Sequence, residues 1–261
     1  MEIAGYIASL LIGVSLGLIG GGGSILTVPV LVYLFSIAPP IAISYSLFIV
    51  GLTSLVGAFN NYRKGLVNIK TALLFGSLSI TTVFITRKFI IPLLPDVLFK
   101  VGTFEVSQAL FVMIVFAMLM VAASVSMIRS KKVSVDTNSD PQPSLLVFYG
   151  VMIGLVTGFL GAGGGFLLIP ALVILMKLPM KEAIGTSLLI IALNSLIGFA
   201  GDIGHHPINW IFILSLSAIA IAGIFIGGYF NQKIDGNKLK KGFGWFVLVM
   251  GIYIIVRETM H

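Results

Sequence analysis

The sequence predicts an all-α integral membrane protein made of two homologous four-segment repeats, and three observations carry that prediction. Of 261 residues, 58% are hydrophobic and only 10% charged, whereas soluble domains carry roughly 25% charged residues. Mean hydropathy is +1.12. Residues 13 to 69 recur without a gap 141 positions later, and about 20 of the 57 aligned pairs are identical. A duplicated apolar chain whose halves each open on a glycine-interrupted segment is the sequence sign of a repeat-built transporter. The first repeat is 1–128, a polar linker with Pro follows at 129–144, and the second repeat is 145–261.

Eight apolar segments fall at about 3–35, 41–59, 69–95, 106–128, 145–176, 182–201, 207–230 and 240–256. A bilayer core takes about 20 helical residues. The first and fifth segments are longer than one upright helix needs, and each has a glycine cluster in its middle, where each Gly costs about 1 kcal/mol of helix propensity. Either each is a long broken helix, or each is a re-entrant hairpin that enters and leaves on one side. Basic residues arbitrate, because cytoplasmic loops concentrate them. Eight crossings split the 16 Lys and Arg 7 against 9, and six crossings split them 12 against 4. Six crossings with two re-entrant hairpins are therefore preferred, with both termini outside the cytoplasm. Three crossings per half also make the repeats inverted, with two half-sites meeting near the midplane.

The N-terminus has no Lys or Arg ahead of its first apolar run, and that run ends in four glycines. It is not expected to be removed as a signal peptide. The absence of cysteine excludes disulfides and thiolate ligands. The net charge of +7 fits the positive-inside bias of membrane loops better than nucleic-acid binding.

Each repeat opens on a matching motif. Gly13, Gly17, Gly20, Gly22, Gly23 and Pro29 align with Gly154, Gly158, Gly161, Gly163, Gly164 and Pro170, and a Ser-containing helix follows each. This doubled pattern resembles the sulfite exporter TauE/SafE family over nearly the whole chain. The resemblance implies a multi-pass protein of the bacterial inner membrane that moves small sulfur-containing anions, with export as its direction. The copies differ at Ser24/Gly165, Gly21/Ala162 and Thr53/Asn194, so the half-sites are not chemically equivalent.

No ionisable residue falls clearly in the middle of a segment, so neutral donors are expected to hold the anion. The half-helices that start after Gly20, Gly21, Gly22, Gly23 and Ser24, and after Gly161, Gly163, Gly164 and Gly165, would offer free N–H groups at a positive dipole end. Side-chain donors would come from Ser46, Thr53 and Ser54 and from Thr186, Ser187, Asn194 and Ser195, which lie near one helix face two turns apart. Gly13, Gly17, Gly154 and Gly158 read as packing positions. No Gly-Lys-Ser/Thr follows either cluster, which argues against a nucleotide site. Asp202, His205 and His206 read as solvated loop residues, and Glu105 and Glu182 as acids at helix starts. No catalytic constellation, metal set or cofactor is expected. A lipid-modifying membrane enzyme and an anion channel are the competing readings. The coupling ion (proton or sodium) and the oligomeric state stay open.

Overall fold

The computed structural model describes residues 2–95, 97–101, 104–129, 143–161, 163–205, 207–231 and 236–259. Most of the linker, Ala162 and His206 therefore lie outside the described residues. The described residues are helical apart from one small hairpin and the connecting turns. In the first half α1 (Glu2–Ile19) leads through a 3-10 turn (Gly21–Leu26) into α2 (Thr27–Tyr33), α3 (Pro39–Arg63) and α4 (Ile69–Ile85). A π-helical turn (Thr86–Ile90) and α5 (Ile91–Leu93) continue α4. Strands β1 (Val97–Val101) and β2 (Phe104–Ser107) then pair antiparallel, and α6 (Gln108–Arg129) closes the half. The second half contains α7 (Pro143–Leu160), α8 (Gly165–Leu175), α9 (Met180–Asp202), α10 (Trp210–Asn231) and α11 (Gly236–Thr259).

Among the described residues five helical stretches are long and apolar enough to cross a membrane: α3, Ile69–Leu93, α6, α9 and α10. Large apolar side chains on the outside, such as Ile211, Phe59 and Val249, form the surface that acyl chains would cover. Local chemistry sets the helix starts. Pro39 and Pro40 occupy the first positions of α3, where a missing N–H is harmless. Asn68 and Asn209, an identical repeat pair, cap α4 and α10 by accepting from Thr71 N at 3.0 Å and Phe212 N at 3.1 Å. Glu182 lies in the first turn of α9, as expected. Glu105 does not begin a helix. It sits in β2, ahead of α6, because hairpin pairing extends the chain up to Ser107.

The repeats interlock. The largest helix–helix interfaces pair α1 with α10, α3 with α9, α6 with α11 and α4 with α7, so each joins one half to the other. On α1, Gly13 and Gly17 meet Gly223 and Gly227 of α10 so closely that a Cβ at any of the four would collide with facing backbone. Gly154 and Gly158 of α7 press on Ser79, Thr82 and Thr86 in the same way. The small residues let backbones approach to van der Waals contact, which drives helix association in lipid. The packing role expected for these glycines holds.

The equivalent helices α3 and α9 run antiparallel: Leu47 lies over Gly198, and Leu66 over Gly185. The chain doubles back between α1 and α3, since Phe35 stacks edge-on against Tyr6 at 5.9 Å. At the same end of the bundle, Tyr33 donates to Glu258 Oε1 at 2.7 Å and lies under Arg257 at 4.5 Å. Both ends of the chain are thus near the start of α3, and Arg63 and Lys64 are at its far end.

Candidate substrate site

Seen from the middle of the bundle, the two glycine breaks cross. A Cβ on Gly21 would overlap the Gly165 Cα, and one on Gly165 the Gly21 Cα. Only glycine at both positions permits that approach. The breaks differ in detail. Gly20 alone turns to positive φ (75°) in the first, ahead of the 3-10 turn, whereas Gly161, Gly163 and Gly164 all do so in the second. Gly164 is left-handed and starts α8 with no side-chain cap. Ala162, where the first copy has Gly21, is outside the described residues.

The hydroxyl helices serve the opposite copy's break. Ser46 Oγ on α3 donates to the Gly161 carbonyl at 2.8 Å. Its counterpart Ser187 lies 3.4 Å from where a Cβ on Gly20 would stand, but donates to Ile184 O of its own helix at 2.8 Å. Ser195 Oγ, by contrast, lies 3.2 Å from a Cβ position on Gly163 of its own copy. Ser24 Oγ donates back to Gly21 O at 2.7 Å, within the 3-10 turn. Thr186 Oγ1 accepts from Asn68 N at 2.9 Å, and its repeat partner Tyr45 does the same for Asn209 N at 2.9 Å. Those two hydroxyls fasten one half to the cap of a helix in the other.

Ser24, Ser46, Thr53, Ser54, Thr186, Ser187, Asn194 and Ser195 are all fully buried. Among the described residues, six buried side-chain oxygens have no hydrogen-bond partner: those of Thr27, Thr53, Ser54, Thr157, Ser195 and the Oδ1 of Asn194. Buried polar groups are normally satisfied, and leaving one unpaired costs about 1–3 kcal/mol. Thr53/Asn194 and Ser54/Ser195 are repeat pairs, so four of the six orphans occupy equivalent positions on α3 and α9. Asn194 Nδ2 is used, donating to Ser79 Oγ at 2.6 Å. Sequence reasoning missed Thr27 and Thr157. The one visible signal was their place beside the motif glycines.

It also missed a buried ion pair. Asp202 is not a solvated loop residue. It ends α9, is buried, and faces Arg87 on the π-helical turn. Arg87 donates through Nε to Asp202 Oδ1 at 2.7 Å and through its second terminal nitrogen to Oδ2. Its remaining nitrogen reaches Gly158 O at 3.4 Å. The reason is long-range: the pair is 115 residues apart in sequence, and the π turn aims Arg87 inward from a position that reads as a helix end. His205 is exposed as expected, with Nδ1 3.2 Å from Asp202 O. No group of three or more His, Cys, Asp or Glu suited to a metal occurs among the described residues.

Long apolar helices, glycine breaks meeting inside the bundle and buried neutral donors around them fit a multi-pass membrane transporter. The model of the family Sulfite exporter TauE/SafE matches residues 6–254, and the chain belongs to that family. Similar proteins include a "Probable membrane transporter protein" of Xylella fastidiosa strain Temecula1, 28% identical over 255 residues, covering 95% of this chain and 92% of that protein. Another is "Probable membrane transporter protein YunE" of Bacillus subtilis, 26% identical over 271 residues, covering 96% and 93%. A third, "Probable membrane transporter protein MJ0441" of Methanocaldococcus jannaschii, is 23% identical over 264 residues, covering 96% and 94%. No solved structure matches the chain.

Proposed function

We propose that the protein is a secondary carrier of small sulfur oxyanions or organosulfonates such as sulfite, working outward, with the anion bound where the glycine breaks meet. The observation that carries this reading is the set of unpartnered buried oxygens at paired positions of α3 and α9. Ser54, Ser195 and Thr53 would donate to an oxyanion. Asn194 joins them if its amide turns to present Nδ2 to the anion, with Oδ1 then accepting from the Ser79 hydroxyl. The half-helix beginning at Gly165 adds free N–H groups. Donors without formal charge suit an anion that must be released again, because a fixed buried cation would hold it strongly.

Inverted repeats and re-entrant first and fifth segments complete the reading. The antiparallel course of α3 and α9, the return of Phe35 to Tyr6, and Arg63, Lys64 and Lys181 gathered at one end support it. The lysine-rich end would face the cytoplasm.

Counterflow in proteoliposomes tests the assignment: load unlabelled sulfite, sulfoacetate, thiosulfate or acetate and follow labelled sulfite inward. Transient accumulation is expected with sulfur anions inside but not with acetate. It is expected to vanish in Gly22→Leu and Gly163→Leu proteins that still elute as folded species. Uptake that never overshoots equilibrium would mark a channel, and no uptake with any sulfur anion would remove the substrate assignment.

A further inference from the structure

Two cavities of about 340 and 320 Å³ open at opposite ends of α3 and α9. One is lined from the end of α3 and the start of α9, the other from the start of α3 and the end of α9. Their linings obey the repeat. Ile184, Asn61 and Gly228 in the first occupy the positions that Ile43, Asp202 and Arg87 occupy in the second. Lys64 and Lys181 correspond in the same way to His205 and Pro40. Cavities generated by chance would not follow a 141-residue offset.

Each lining includes an isoleucine that also touches a glycine break. Ile184 Cγ2 lies 3.1 Å from a Cβ position on Gly20, and Ile43 Cγ2 lies 2.7 Å from one on Gly161. We propose that the two cavities are the two mouths of a single anion route, and that Ile184 and Ile43 are the partitions dividing each mouth from the central site. This rests on the carrier reading above and adds its access path.

The mouths are chemically unequal. The first presents two lysines with Asn60, Asn61 and Asn231 and has no carboxylate among its described lining residues. A concave, one-signed surface concentrates small oxyanions. In the second, the guanidinium of Arg87 is already taken by the Asp202 carboxylate, a group with the same two-oxygen face that a carboxylate or sulfonate ligand would offer. Anions therefore collect at the lysine mouth, and the ion pair closes over the opposite one.

The chain has no cysteine, so single cysteines report access directly. Ser195→Cys places a thiol behind both partitions, and Asn60→Cys places one in the lysine mouth as a control. A membrane-impermeant anionic thiosulfonate is added to one side of oriented vesicles, and labelling rate is measured. Asn60→Cys should label quickly, and only from the lysine side. In the Ser195→Cys protein, Ile184→Ala should speed labelling from the lysine side, and Ile43→Ala from the other side, each by about tenfold or more. If either alanine disturbs folding, the Ile→Val proteins are read for the same side-dependence. Acceleration from the same side by both, or from neither side while Asn60→Cys labels normally, overturns the route. Labelling needs no transported substrate, so failure of the route is distinct from failure of the sulfur-anion assignment in counterflow.

Discussion

Ser54 and Ser195 differ from most of the buried hydroxyls around them. Most hydroxyls in this bundle have a local acceptor, as Ser187 has in Ile184, and removing such a group sacrifices a bond. Ser54 and Ser195 have none. Deleting an unpaired buried hydroxyl relieves a desolvation cost, so Ser54→Ala and Ser195→Ala are expected to leave the melting temperature unchanged or raised. If these oxygens hold the anion, each loses a charge-assisted bond of about 1.5–3 kcal/mol, or roughly 10–100-fold in affinity. Thermal unfolding in detergent and concentration-dependent counterflow on the same samples check both halves of the prediction. A protein that melts higher and transports as before would place these hydroxyls outside the site. The sequence made the serines legible through their repeat spacing. It left their bonding illegible, because whether a hydroxyl has a partner depends on helices more than 100 residues away. Thr186 shows the gap: it reads as a ligand donor, and the bond it accepts from Asn68 N, 118 residues away, is invisible in the sequence.

Between the π-helical turn and α9, the bidentate Arg87–Asp202 ion pair joins the two halves. Removing one member leaves the other charged, buried and alone, so Arg87→Ala or Asp202→Ala should each destabilise by about 3–5 kcal/mol. The apolar double replacement Arg87→Met with Asp202→Leu should recover most of that loss, since it removes the desolvation cost of both charges. Unfolding midpoints of the three proteins give the comparison, and equal damage in single and double variants would contradict it. Helix extents were readable from apolar run length, and the breaks from the glycine clusters. The π-helical turn was not. Its sequence, Thr86 to Ile90, carries two basic residues that look like an ordinary helix end, and the inward aim of Arg87 follows from backbone geometry alone.

For the molecule as a whole, repeat alignment revealed that two copies exist but not how they sit together. Spacing along a chain is silent on which helix neighbours which. The pairing found here, α1 with α10, α3 with α9, α4 with α7 and α6 with α11, puts every major interface across the linker. Cutting within 130–142 and co-expressing the two pieces should therefore yield a complex that co-purifies and performs counterflow. Each piece expressed alone should fail to accumulate. Recovery of a stable single piece would argue that the halves are self-sufficient.

The cross-pairing also bears on biogenesis. While residues 1–128 are being threaded into the bilayer, α3 lacks the largest helix it will pack on, α9, and Ser46 lacks its acceptor on Gly161, because both are still inside the ribosome or not yet made. Polar groups in hydrocarbon seek any available donor or acceptor, so the nascent first half is a target for quality control until α9 and α10 arrive. Its lifetime as an orphan is set by translation speed across the next hundred residues. A slow stretch of synthesis placed just after the linker would be a poor place to pause.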